Sequence, residues 1–152
     1  MSAERRLFID CDGVLTDGRL HIASEFNFAL ATALVREKPF KSFHTRDVTA
    51  IRELRDAGWH VSIVSADDAP HGEHFARKVG AEFVYDRDKD DLEGPYVAVG
   101  DSVLDLEMLQ RAERAFCPAD AEPFIRYLPG VERLSTNGGG GVIAELARVL
   151  LA

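Results

Sequence analysis

Two acidic side chains, Asp10 and Asp12, stand one residue apart in the segment LFIDCDGVLTDG, residues 7–18. They follow an apolar run directly, where charge is costly to remove from water, and Gly13 comes next. If the turn aims both side chains at one point, one carboxylate can act as a nucleophile while the other protonates a leaving group and then activates water. Such a pair indicates phosphoryl transfer, for which a magnesium ion held by carboxylate oxygens neutralises the phosphate.

Further oxygen ligands and a hydroxyl group follow later apolar runs. Asp101 and Asp105 come after YVAVG, and Ser65 ends the run WHVSIVS. The two acids are candidate magnesium ligands. The Ser65 hydroxyl and the neighbouring backbone N–H groups lie where a loop enters a helix, so they are candidates for binding phosphate oxygens. A lysine or arginine is expected to complete the phosphate site.

Strands and helices alternate along the chain. The predicted strands are RRLFID, WHVSIVS, AEFVY, PYVAVGDS and a shorter one near RAFCP. The predicted helices are RDVTAIRELRDAG with Asp47 as N-cap and Gly58 past its end, PHGEHFARKVG, VLDLEMLQRA, residues 119–127 and GVIAELARVLL. Strands that are apolar throughout predict parallel pairing with helices on both faces. We therefore expect a three-layer, Rossmann-like α/β domain over residues 1–152, with ligands beyond the carboxyl ends of its strands.

Two segments fit this pattern less well. Residues 19–42 have no clear period, and we predict a flap or excursion between the first strand and the first helix, too short to be a separate domain. The GGGG run at residues 138–141 is expected to be a flexible turn before the last helix.

Composition narrows the classes of partner. The formal net charge of -8 argues against nucleic acid and against anionic membrane surfaces, because either would need an extended basic face. No apolar run approaches the length of a membrane span, and the first residues do not resemble a secretion signal. We therefore expect a cytoplasmic location and a small phosphorylated substrate. The two cysteines, Cys11 and Cys117, are expected to be buried reduced thiols.

Several motifs together resemble a known superfamily. DCDGVLTDG, a small hydroxyl residue at the end of the second strand, and GDSVLD occur in this order in the haloacid dehalogenase superfamily of aspartate-nucleophile phosphatases. DGVLTDG followed by FHTRDVTAI is similar to its capless branch, which contains 3-deoxy-D-manno-octulosonate 8-phosphate phosphatase and the related domain of acylneuraminate cytidylyltransferases. The resemblance covers most of the chain and implies a Mg²⁺-dependent phosphatase with no separate cap domain.

The resemblance also implies roles for the acids. Asp10 would be the nucleophile that forms an aspartyl phosphate, and Asp12 the general acid and base. Asp12 would also offer its backbone carbonyl to Mg²⁺. Asp101 matches the outer metal-binding carboxylate of the family, and Asp105 the second acid of that motif. The implied metal site is thus Asp10, Asp12, Asp101 and Asp105.

The expected phosphate-binding residues are Ser65, Lys89, Gly13 and Arg46. The family usually has a lysine just ahead of a helix that leads into the fourth strand. Here VYDRDKDDLEGPYVAVGD offers Lys89, while an ungapped match places Asp91 at that position, and the helix is missing. The acidic residues of the segment ADD after Ser65, and the absence of a basic residue from GGGG, also depart from the pattern of sugar-acid phosphatases.

Three functions follow from these observations. The first is a phosphomonoesterase acting on a small ester such as a sugar-acid phosphate. The second is a catalytically silent domain that works through assembly or regulation. The third is a nucleotide 5′-phosphatase. Since an open site has no lid of its own, we also expect a homo-oligomer, and the resemblance implies a tetramer.

Overall fold

The computed structural model describes residues 3–27, 32–68, 70–89 and 91–152. Its strands are β1 (Arg5–Asp10), β2 (His21–Asn27), β3 (Thr32–Phe40), β4 (Trp59–Ser65), β5 (Glu82–Tyr85), β6 (Val97–Val99), β7 (Arg114–Cys117) and β8 (Val131–Arg133). Its α-helices are α1 (Thr45–Asp56), α2 (Pro70–Val79), α3 (Leu106–Arg111), α4 (Pro123–Arg126) and α5 (Val142–Leu150). The predicted α/β class and the three-layer arrangement are confirmed.

Six strands form one parallel sheet in the order β5-β4-β1-β6-β7-β8. The central strand β1 is bordered by β4 on one side and β6 on the other. The carboxyl ends of these three strands therefore lie side by side. This arrangement brings Asp10, Ser65 and the segment after Val99 to one edge of the sheet.

Alternating side chains of β1 pack into two separate apolar clusters. Leu7 and Ile9 belong to the cluster on the side of α1, α2 and α5, whereas Phe8 belongs to the cluster on the side of α3 and α4. Because successive side chains of a strand point to opposite faces, a sheet covered on both faces needs apolar residues at every position. The burial of Leu7, Phe8 and Ile9 meets that requirement.

The predicted flap contains a two-stranded antiparallel hairpin, β2 and β3. His21 pairs with Phe40 at its base, and their rings stack with centroids 4.9 Å apart. Residues 28–31 of the predicted flap lie outside the described residues. The hairpin is a separate sheet, so its strands leave the six-stranded sheet intact.

Two predictions about the second half of the chain are wrong in detail. The helix expected over residues 119–127 is limited to α4, because Pro123 lacks an N–H group and holds Glu122 in extended geometry. Strand β8 was not predicted at all. It is only three residues long and mostly exposed, so it has too few apolar positions to be recognised.

The predicted N-cap of α1 is also wrong. The helix begins at Thr45, and the ring of His44 accepts the backbone N–H of Arg46 at 3.1 Å. Asp47 therefore lies in the first turn, fully buried, where its Oδ1 accepts the backbone N–H of Ala144 at 3.0 Å. Asp47 thus joins the first turn of α1 to the first turn of α5.

We predict that Asp47 makes the stability of the fold depend on pH. Burial raises the pKa of Asp47 to about 6 from 3.8, although N–H groups of α5 oppose the rise. The folded state then holds this proton more tightly than the unfolded state, so stability falls as pH rises from roughly 4 to 6 and stays level above that range. The shift corresponds to up to about 3 kcal/mol.

Urea unfolding of wild type and Asp47→Asn across this pH range checks the prediction. The variant has no proton to lose, so the stability of wild type relative to the variant should fall as pH rises. Asp56→Asn, at the exposed end of the same helix, is the matched control and should follow wild type. Parallel stability curves for wild type and Asp47→Asn would contradict the prediction.

Candidate active site

The two acids of the first motif lie at the carboxyl end of the central strand. Asp10 is the last residue of β1 and is buried, while Asp12 is half-buried in the turn that follows. Gly13 has a φ of 85°, in the left-handed region that favours glycine. A Cβ atom on Gly13 would overlap the carboxylate of Asp101. The glycine therefore lets the first turn approach Asp101 closely.

Lys89 forms the central ion pair of the site. Its Nζ donates hydrogen bonds to Asp10 Oδ1 and to Asp105 Oδ1, and the lysine side chain is 1% exposed. Burial opposes the charge of Lys89, but the two carboxylates outweigh it and raise the pKa of the ammonium. Asp91, which the ungapped spacing favoured, donates its backbone N–H to Asp86 Oδ2 at 3.4 Å instead.

Asp105 organises the loop after β6. Its Oδ2 accepts the backbone N–H groups of Asp101 at 2.8 Å and of Ser102 at 3.1 Å, while its Oδ1 is bonded to Lys89. Asp105 is fully buried. Because both of its oxygens already have partners, this carboxylate fixes the position of Asp101 and of the lysine together.

Asp10, Asp101 and Asp105 offer carboxylate oxygens within 4.8 Å of one another. Burial raises the pKa of Asp10 well above 3.8 and that of Asp101 to about 6. Among the described residues, Asp101 Oδ1 is buried with no hydrogen-bond partner. When all three carboxylates are ionised, as a bound cation would favour, they leave two negative charges against the one ammonium of Lys89. An unpartnered oxygen beside uncompensated charge fits one divalent cation with oxygen ligands.

The side chain of Asp12 has different partners. Its Oδ2 accepts a hydrogen bond from Lys41 Nζ at 2.8 Å, and its Oδ1 accepts one from the Thr16 hydroxyl at 3.2 Å. Lys41 also contacts Asp67 Oδ2 at 3.3 Å, and its side chain is 7% exposed. Burial opposes the charge of Lys41, but Asp12 and Asp67 outweigh it and raise its pKa.

Sequence reasoning missed Lys41 as a site residue. It lies just after β3, in the segment predicted to be a flap, and no motif links it to Asp12. Its position two residues ahead of Phe43, where the motif FHTRD begins, is the only pattern that could have pointed to it. The contact shows that the base of the hairpin reaches the first turn.

The other two predicted phosphate-binding residues, Ser65 and Arg46, have different surroundings. Ser65 is buried at the end of β4, where its hydroxyl donates to the carbonyl of Asp67 and accepts the Asp67 N–H, at 3.0 and 3.1 Å. Arg46 is exposed and lines a groove between α1 and α5 together with Arg148. The structure thus brings Lys89 and Gly13 to the acids, whereas Arg46 faces a separate groove.

The GGGG run differs from the predicted flexible turn because it is closely packed. The backbone N–H of Gly139 donates to the Val14 carbonyl at 3.0 Å, and that of Gly138 donates to Asp120 Oδ1 at 2.8 Å. A Cβ atom on Gly138 would overlap the carbonyl of Gly13. The glycines therefore allow the loop before α5 to lie directly against the first turn.

Individual proteins are similar to this chain in sequence and in fold, although no known protein-family model matches it. A 3-deoxy-D-manno-octulosonate 8-phosphate phosphatase of Haemophilus influenzae is 30% identical over 156 residues, which cover 93% of this chain and 79% of that protein. A solved structure shows the cobalt-bound form of the deoxy-D-mannose-octulosonate 8-phosphate phosphatase from Haemophilus influenzae. Its sequence is 28% identical to this chain and the TM-score is 0.80. The match covers 96% of this chain and 86% of that chain.

A hydrolase of the HAD superfamily, subfamily III A, from Legionella pneumophila is 25% identical with a TM-score of 0.79, and 96% of this chain and 81% of that chain are covered. The fold is that of the haloacid dehalogenase superfamily, which confirms the resemblance. Within it, the chain belongs to the family of 3-deoxy-D-manno-octulosonate 8-phosphate phosphatases. In the part of the chain that the structure describes, no helix is long and apolar enough to cross a membrane.

We predict that Gly13→Ala displaces Asp101 and weakens the metal site. The new methyl group would occupy the position of the Asp101 carboxylate, so Mg²⁺ affinity measured by calorimetry should fall by about tenfold or more. Urea unfolding should also show a loss of roughly 1–3 kcal/mol. Gly130→Ala is the matched control, because Gly130 has a similar φ of 84° but no neighbour within 4 Å. Equal effects of the two substitutions would contradict the prediction.

Proposed function

We propose that the chain is a Mg²⁺-dependent phosphomonoesterase that hydrolyses a sugar-acid phosphate through an aspartyl-phosphate intermediate. Asp10 is the nucleophile and Asp12 the general acid and base. Asp10, Asp101 and Asp105 would hold the metal, together with the backbone carbonyl of Asp12. The bound cation would supply positive charge that neutralises the phosphoryl group. The family membership and the cobalt-bound relative support this assignment.

The chemistry divides into two displacements at phosphorus. In the first, an oxygen of Asp10 bonds to phosphorus while the ester P–O bond breaks, and protonated Asp12 gives its proton to the departing alkoxide. In the second, Asp12 takes a proton from water, whose oxygen attacks the same phosphorus and releases Asp10. The net products are an alcohol and inorganic phosphate, and both carboxyl groups return to their starting states. Lys41 and Thr16 orient Asp12 for this exchange.

The contact between Lys89 and Asp10 is the observation that carries this proposal. A lysine bonded to the nucleophile can also approach a phosphate oxygen, so it keeps two negative groups close together. The hypothesis of a silent domain depended on the altered spacing of the lysine and on the acids after Ser65. Since Lys89 contacts Asp10 despite that spacing, the first of these two reasons is removed, which favours an active enzyme.

The nature of the substrate is the next part of the proposal. The Haemophilus influenzae relative is a 3-deoxy-D-manno-octulosonate 8-phosphate phosphatase, which supports a sugar-acid phosphate for this chain. Asp67 and Asp68 follow Ser65 at the edge of the site, and Asp67 contacts Lys41. Negative charge at this position disfavours a carboxylate group on the same side of the substrate. A nucleotide 5′-phosphate is therefore kept as a competing substrate in the experiment.

We predict that phosphate release requires both metal and Asp10. Sugar, sugar-acid and nucleotide monophosphates should be tested with Mg²⁺ and with a chelator. Asp10→Asn should lose turnover by about a thousandfold or more, because an amide cannot form the acyl phosphate. Asp12→Asn should lose most activity and keep its fold. Chelator should abolish release from the best substrate.

Asp17→Asn makes the same isosteric change at an exposed position of the same turn, and it should retain the activity of wild type. An active Asp10→Asn variant would end the proposed mechanism. Magnesium binding without release from any of the esters would favour the silent domain. A preference for nucleotide esters would replace the sugar-acid assignment.

We also propose that residues 1–152 form one phosphatase domain that works as a cytoplasmic homo-oligomer, with a tetramer as the expected state. Leu20, Ile22 and Phe40 at the base of the hairpin are 54%, 58% and 48% exposed. Because Phe40 pairs with His21, Ile22 lies on one face of the hairpin and Phe40 on the other, so both faces expose apolar surface of the kind found at protein–protein contacts. Since the described residues form no separate cap domain, a neighbouring copy is the available source of a cover for the site.

We predict that small-angle scattering gives a mass well above that of one chain. Ile22→Glu should shift the mass towards the monomer, because a charge in the contact would have to be desolvated. Tyr127→Glu is the control, since Tyr127 is 77% exposed and lies between α4 and the edge strand β8, outside the hairpin. A monomeric wild type would contradict the proposed assembly.

A further inference from the structure

The loop between β5 and β6 places Lys89 by an unusual route. Between these strands the described residues form no helix, although a charged segment of eleven residues separates Tyr85 from Val97. Lys89 has a φ of 49° and is the only non-glycine residue with positive φ in the described part of the chain. A non-glycine residue keeps a left-handed backbone conformation only where surrounding contacts hold it there.

Asp86 is the residue that holds this turn. Its Oδ1 accepts the backbone N–H of Lys89 at 2.9 Å, and its Oδ2 accepts that of Asp91 at 3.4 Å. The backbone N–H of Asp86 donates to the carbonyl of Ser65 at 3.0 Å. Each oxygen of the Asp86 carboxylate thus accepts a backbone N–H of the loop. The backbone of Asp86 is itself hydrogen-bonded to the end of β4.

The direction of the Lys89 side chain depends on this turn. The backbone of Lys89 must take a conformation that costs free energy, so that its buried Nζ reaches Asp10 and Asp105. With a relaxed φ, the side chain would leave the backbone in another direction. The two carboxylates would then lose their shared cation.

We propose that Asp86 is a positioning residue for Lys89: its carboxylate performs the task of the missing helix and places the ammonium on Asp10. The competing interpretation is that Asp86 is only one more charge of a solvated loop. The effect of Asp86 on turnover rests on the proposed function, whereas its effect on Lys89 does not. The two effects are therefore measured separately.

Amine acylation measures the position of Lys89 without any turnover. Wild type, Asp86→Ala and Asp86→Asn are treated briefly with acetic anhydride, and modification of each lysine is followed by peptide mass spectrometry. In wild type, Lys89 should be protected, because it is 1% exposed. In Asp86→Ala, its rate of modification should rise by about tenfold or more, the factor expected for the loss of one hydrogen bond or more.

Other residues of the chain provide controls for this experiment. Lys41, whose side chain is 7% exposed, reports on opening of the whole site, and exposed Lys78 is the reference for reagent activity. Asp88→Ala removes an exposed acid from the same loop. Asp86→Asn keeps one acceptor oxygen, so it should raise the modification rate of Lys89 less than Asp86→Ala does. The proposal would be overturned if Asp86→Ala left the modification rate of Lys89 unchanged. It would also be overturned if the rates of Lys41 and Lys89 rose by the same factor.

Kinetics then test whether Asp86 acts through the lysine. Using the ester that wild type hydrolyses fastest, Asp86→Ala should lower kcat/KM by about tenfold, and Asp88→Ala should leave it unchanged. In a Lys89→Ala background, the further change Asp86→Ala should have less than about a twofold effect, because the group it positions is gone. Fully additive losses would overturn the proposal. A wild type that hydrolyses no ester would contradict the proposed function but leave the acylation result intact.

Discussion

The active site depends on one buried ammonium shared by two carboxylates. Lys89 lies between Asp10 at the end of β1 and Asp105 after β6, and all three are buried. Removing one partner from such a group leaves an uncompensated charge, which typically costs about 3–5 kcal/mol. The ion pairs therefore hold the central strand, the loop after β6 and the loop after β5 in a fixed relation. Among the described residues, Asp101 Oδ1 has no hydrogen-bond partner, and a cation bound there would complete the charge balance.

The sequence predicted those parts of the structure that depend on local pattern. The apolar strands, the alternation with helices and the acids at strand ends all follow from residues close together in the chain. Contacts between distant segments were not predictable in this way. The local pattern around Asp47 predicts a cap of its own helix, because nothing nearby in the sequence shows that α5 begins beside it. Lys41 was missed for the same reason, since its partner Asp12 is 29 residues away.

Lys89 illustrates why spacing alone is a poor guide to position. An ungapped comparison favoured Asp91, because it assumes that the same number of residues gives the same path through space. Here a left-handed residue and an aspartate that accepts two backbone N–H groups take the place of a helix. Lys89 reaches Asp10 from a loop that contains no helix among its described residues. A charged loop such as DRDKDD therefore has to be judged by its backbone conformation as well as by its order of residues.

The distribution of charge also limits how a substrate can be recognised. Lys89 is buried and Lys41 is half-buried, and each contacts two carboxylates of the chain itself. A phosphate group that displaces some of these contacts can share Lys89, because Asp10 is the proposed covalent partner of that phosphate. A second anionic group further along the substrate would meet Asp67 and Asp68 at the edge of the site. Selection for such a substrate must therefore come from groups above this edge, on the hairpin or on a neighbouring copy.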